Sequence, residues 1–144
     1  MNLMPMQNNK LIAQLWMDFI NKKDIEGICA VTSDTWKMHG ALPDMPEGPE
    51  GVHKLFNSFG PVQQKWITRD IIAEADKVVI RAVNYCRQDS FLGIPTNGRL
   101  QVFTAIFIHQ IKDGRIQETW RNADDLGRLM QVGGKIVQDL QEAV

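Results

Sequence analysis

FTAIFIHQIKDGRIQETW, from Phe103 to Trp120, decides how the rest of the chain must be read. Two runs rich in β-branched and aromatic residues flank Asp113–Gly114, and Asp-Gly between such runs is the strongest short hairpin signal. With a two-residue loop, Lys112 opposes Arg115. Counting back pairs His109 with Glu118, Phe107 with Trp120, Ala105 with Asn122 and Phe103 with Asp124. These side chains share one face, where aromatic walls alternate with isolated polar groups as in a ligand pocket. The other face carries Thr104, Ile106, Ile108 and Gln110 against Gln117, Thr119, Arg121 and Ala123, a composition suited to a subunit interface. A β-bulge between turn and strand end would exchange the two faces beyond it.

Upstream, WITRDIIAEA and KVVIRAVNYCRQ form a second hairpin about Ala75–Asp76. Before them the period is helical. Leu11, Ile12, Leu15, Trp16, Phe19 and Ile20 recur at i, i+3/i+4 spacing, and Asp24 caps a second short helix over DIEGICAVTS. TWKMHGALP is a brief strand, and GPEGVHKLF opens a third helix after Pro/Gly punctuation. Downstream, LGRLMQV is a short helix stopped by Gly133–Gly134. Helices first and strands afterwards define an α+β domain: a cone-shaped barrel, its curved antiparallel sheet and three N-terminal helices enclosing a pocket. One domain spans residues 1–144, with a loose N-terminus over 1–7 and a helical tail over 135–144.

Bulk properties narrow the function. A formal net charge of −1 with scattered lysines and arginines gives no field for nucleic acid or an anionic membrane. Cys29 and Cys86 have neither CxxC spacing nor a nearby histidine, and they read as reduced thiols of a cytoplasmic protein. The amino terminus lacks the basic and apolar regions of a signal peptide, and no apolar run reaches the ~20 residues that span a bilayer. His39, His53 and His109 are dispersed without HExxH or a similar motif, so neither a metal nor another cofactor is expected.

Several stretches resemble the SnoaL-like polyketide cyclases, members of the nuclear-transport-factor-like α+β cone superfamily. GIPTNGR, FTAIFIHQIKDGRIQETW and DDLGRLMQVGG are similar to a pattern that runs roughly G-[IL]-P-P-T-G-[KR], a strand ending in D-G-[KR]-I, E-x-W, then D-x-L-G-L-L-x-Q-L-G. Weaker similarity covers GPEGVHKLF and RDIIAEADKVVIRA. The resemblance implies that Asp124, four positions after the E-x-W tryptophan, is the acid/base of an aldol ring closure, and that His39 closes the first strand at the site. It departs at YCRQD, where Arg87 stands in place of a family histidine, and at Gln110, in place of an arginine. A permanent cation at 87 suits an anionic or enolate-bearing ligand.

The expected chemistry is cofactor-free proton transfer on a carbonyl-bearing small molecule of secondary metabolism, by aldol-type cyclisation or isomerisation. Asp124 and His39 move protons, and Trp120, Phe103, Phe107, Trp36 and Trp16 supply walls. Asn122, Arg87 and Tyr85 polarise oxygens, Asp125 caps the last helix, with Asp124 as the alternative cap, and Arg121 serves assembly into a homodimer. A cross-strand His109–Glu118 pair is structural on this reading, and Arg81 meets Asp70 or Glu74. Two alternatives remain: a non-catalytic dimeric binding module, and an epoxide-opening hydrolase with carboxylates and an arginine around one water.

Overall fold

A computed structural model describes residues 4–139. Its elements run α1 (Met4–Lys22), α2 (Ile25–Val31), β1 (Thr32–His39), α3 (Gly48–Phe59), β2 (Val62–Glu74) and β3 (Lys77–Gln88). A two-strand flap follows, β4 (Ser90–Phe91) and β5 (Ile94–Pro95), then β6 (Gln101–Lys112), β7 (Arg115–Ala123) and α4 (Asp125–Gln131). Residues 4–7 thus belong to α1 instead of a loose end. Residues 135–139 form no helix, and the remainder of the expected tail helix lies outside the described residues.

The large sheet has the order β1-β7-β6-β3-β2 and curves around the helices. Four strands are antiparallel; β1 joins β7 in parallel. Both hairpins sit where turn chemistry places them. Glu74 pairs with Lys77 around Ala75–Asp76, and Lys112 with Arg115 around Asp113–Gly114, whose φ values of 53° and 75° are those of a type I′ turn. Asp24 caps α2 through Gly27 N–H at 2.9 Å.

Alternation along β3 and β6 builds the concave face. Val78, Ile80, Ala82, Asn84 and Cys86 point inward from β3, and Gln101, Phe103, Ala105, Phe107, His109 and Ile111 from β6. Helix α1 lays Ala13, Trp16, Met17 and Ile20 on this face, while α2 and α3 cover β1. Each large apolar side chain so buried contributes about 1.5–3 kcal/mol.

The register of β7 is the main departure from expectation. Ile111 pairs with Ile116, but Gln110 pairs with Glu118, so an extra residue at Gln117 bulges out. Beyond it Phe107 faces Arg121, Ile108 faces Trp120 and Ile106 faces Asn122. Thr119 is therefore buried and Arg121 turns inward, while Trp120 and Asn122 lie on the convex face. His109 does not meet Glu118. Its ring is fully buried with Nδ1 2.8 Å from Thr119 Oγ1, which also accepts Trp36 Nε1–H at 3.0 Å. Nε2 on the far side of the ring has no partner among the described residues.

Beyond Ala105, β6 has no β7 partner. Gln131 of α4 fills that place: its Oε1 accepts Val102 N–H at 2.8 Å and its Nε2 donates to Val102 O at 2.7 Å. This amide clamp docks α4 beside the concave face.

Candidate active site

A cavity of about 500 Å³ opens between the concave face, α1, α3, the flap and α4. Trp16, Trp66, Phe103, Phe107, Phe59 and Phe91 supply aromatic wall. Trp66 meets Phe103 and Phe107 edge-on, with centroids 5.5 and 5.3 Å apart, so the rings hold one another in place. Few charged groups interrupt this lining: Asp89 at the exposed rim, and Arg121, Asp125 and Arg128 on the α4 side.

Arg121 and Asp125 form a bidentate pair. Arg121 Nη1 donates to Asp125 Oδ2 at 2.9 Å and Nη2 to Oδ1 at 2.8 Å. Nη1 also donates to Gly40 O at 2.9 Å. Gly40 has φ of 84°, and a Cβ there would run into the Arg121 carbonyl oxygen, so the clamp needs glycine. The Arg121 side chain is 14% exposed and that of Asp125 44%, which shields the cation and leaves the carboxylate accessible.

Arg128 packs over both Phe91 and Phe103, its guanidinium carbon 4.0 and 4.5 Å from their centroids. Nε donates to Gln101 Oε1 at 2.8 Å, and Nη2 lies 3.4 Å from Cys86 Sγ. Burial pulls the Arg128 pKa below its ordinary value, opposed by Cys86 and Asp125. Burial likewise raises the Cys86 thiol, with Arg128 acting against it.

Trp16, Phe103 and Phe107 line the cavity as expected. Asp124 does not. It is exposed and caps α4, accepting Gly127 N–H at 2.9 Å, and Asp125 takes the wall position foreseen for it. The exchange follows from the bulge, which shifts every later side chain by one face. His39 is also outside: half-exposed on the convex side, it is bonded to Glu118 Oε2 at 3.1 Å and stacked on Trp120 at 5.6 Å. Trp36 is buried beneath the cavity on Thr119, and Tyr85 faces the convex side. Arg87 is exposed and donates to Gly98 O at 2.6 Å, tying the loop after the flap. Arg81 pairs with Asp70. Gln110 donates to Asp76 Oδ2 at 2.9 Å, which lowers the Asp76 pKa.

Sequence reasoning missed Arg121 and Arg128 as cavity groups. For Arg121 the decisive bulge has no local signature. For Arg128 a signal existed: it occupies the first of the paired leucines in D-x-L-G-L-L-x-Q-L-G. Among the described residues, no three His, Cys, Asp or Glu side chains converge as metal ligands, and no helix is long and apolar enough to cross a membrane.

The fold is shared with several solved structures. TsrD from Streptomyces laurentii superposes with a TM-score of 0.79 at 23% identity, over 90% of this chain and 97% of that one. Wild-type IdmH from Streptomyces antibioticus gives 0.73 at 24%, covering 87% and 98%. An LEH-like epoxide hydrolase from M. tuberculosis gives 0.67 at 13%, covering 89% and 91%. Identities this low establish the cone fold and nothing finer. No curated protein sequence matches. The sequence itself matches the SnoaL-like polyketide cyclase model over residues 10–132, which takes in every residue that lines the cavity. With the matched region and the cavity walls coinciding, the chain belongs to the SnoaL-like polyketide cyclase family.

Proposed function

We propose that the protein is a cofactor-free acid/base enzyme acting on a carbonyl-bearing, largely apolar small molecule of secondary metabolism. The reaction is intramolecular aldol-type cyclisation or the related isomerisation, run in the cytoplasm by one domain. The observation that carries this reading is the Arg121–Asp125 pair set in the wall of an otherwise aromatic cavity. Arg121 occupies one lone pair on each carboxylate oxygen and fixes the carboxylate plane; the remaining lone pairs serve as base. As Asp125 takes a proton α to a carbonyl, negative charge passes to the enolate, and the adjacent Arg121 cation offsets it there. The aromatic walls hold the chain folded back, and orientation supplies much of the rate advantage in ring closure. A carboxylate–arginine pair would also serve an epoxide-opening hydrolase, and product analysis separates the two.

The convex face supports a homodimer. Val102 and Ile106 are 39% and 44% exposed there, beside Thr104, Ile108 and Trp120. Thr119, expected on this face, is in the core instead.

Deuterium incorporation α to the carbonyl of 2-acetylnaphthalene in D₂O, followed by NMR, tests the chemistry. The wild type should accelerate exchange, Asp125→Asn should lose about 10²-fold of that, and Asp124→Asn should keep it. The reverse pattern would return the acid/base role to Asp124.

A further inference from the structure

Helix α4 is inside out. It exposes Leu126 and Met130, 49% and 61% accessible, and turns Arg128 toward the cavity. Burying a guanidinium while wetting leucine and methionine runs against the ordinary order of burial. Most buried arginines find a carboxylate. Among the described residues none lies within ion-pair distance of Arg128, and Asp125, on the same wall, pairs with Arg121 instead. Nη1 of Arg128 donates to no described protein group.

Two amide donors of this region are also unused. Gln101, which holds Arg128 through its oxygen, is fully buried and its Nε2 has no partner. Gln88 lines the same cavity with Nε2 buried and unpartnered. Unpaired buried donors are rare in folded proteins and destabilising where they occur. Phe91 of the flap and Phe103 both pack against the guanidinium, which screens it from water and strengthens its field. A ketone oxygen could accept from the guanidinium but would leave its charge unpaired. A carboxylate meets the free Nη1 of Arg128 and supplies the missing negative charge in the plane that a guanidinium presents.

We propose that Arg128 anchors a free carboxylate on the ligand, so that the substrate is an aromatic or polycyclic acid and not its ester or amide. The proposal deepens the functional reading above and rests on that reading of the cavity as the substrate chamber. Arg128 and the flap ring of Phe91 then define an acid-recognition end, and Asp125 a proton-transfer position on the same wall.

2-Naphthoate and methyl 2-naphthoate are the probes, titrated at neutral pH against intrinsic tryptophan fluorescence. The wild type should bind the acid at least about tenfold more tightly than the ester. Arg128→Leu, which installs the residue of the family pattern, should bring the two within about twofold, mostly by weakening the acid. Arg128→Gln keeps a side chain able to meet Gln101 and should lose the preference equally; it decides the matter if the leucine variant does not fold. A wild type without preference for the acid, or folded variants that retain it, would overturn the proposal. Naphthoate binding is read without turnover, so the two readings fail separately. Lost proton exchange with the acid preference intact removes only the catalytic reading, and lost preference with exchange intact removes only this one.

Discussion

Ile116 and Thr119 lie three positions apart on β7, and both are fully buried in the core. A regular strand cannot do this, because residues three apart point to opposite faces. The extra residue at Gln117 reconciles them, and it is also what delivers Arg121 to the cavity.

Deleting Gln117 should therefore be far worse than altering it. Thr119 would leave the core, stripping Trp36 Nε1 and His109 Nδ1 of their shared partner, at about 1–3 kcal/mol for each orphaned group. Gln117→Gly keeps the chain length and should stay within roughly 1 kcal/mol of the wild type. Urea unfolding of both variants is the check; equal midpoints would mean that the bulge is dispensable.

Acid stability should bear the mark of His109. Burial lowers its pKa from 6.5 to about 3 in the folded protein. Between these values the unfolded chain binds a proton that the folded one refuses. Stability from this site is thus complete above pH 6.5 and is lost progressively as pH falls toward about 3. His109→Phe should flatten that part of the urea-midpoint profile. An unchanged slope would assign the acid sensitivity elsewhere.

Assembly should depend on Ile106. It sits in the middle of the exposed apolar strip of β6 on the convex face, away from the cavity. Ile106→Lys should convert a dimer into a folded monomer by sedimentation, with α-proton exchange per chain changed little. A wild type that sediments as a monomer at roughly micromolar concentration would remove the dimer proposal.

Local chemistry was legible and non-local fit was not. Asp113–Gly114 and Ala75–Asp76 announce their turns, and Asp24 its cap, because each signal is complete within a few residues. The bulge is selected by a threonine hydroxyl that serves Trp36, 83 positions away, and His109 on the neighbouring strand. Nothing around Gln117 encodes that demand. Trp16, Phe103 and Phe107 line the cavity, because they lie outside the shifted segment of β7. Asp124 and Asp125 exchanged places because they lie downstream of the shift. Arg87 stands where the family pattern has a histidine, yet its guanidinium serves only the Gly98 carbonyl among the described residues.

The Gln131 amide has a further consequence. A backbone stretch whose N–H and C=O both face an empty neighbouring lane is a template onto which another polypeptide can add. At Val102 that lane is occupied by one side chain reaching over from α4, in a double bond that copies a strand's own pairing. Gln131 thus closes that lane to intermolecular β-addition, from the same helix that carries Arg128 to the cavity.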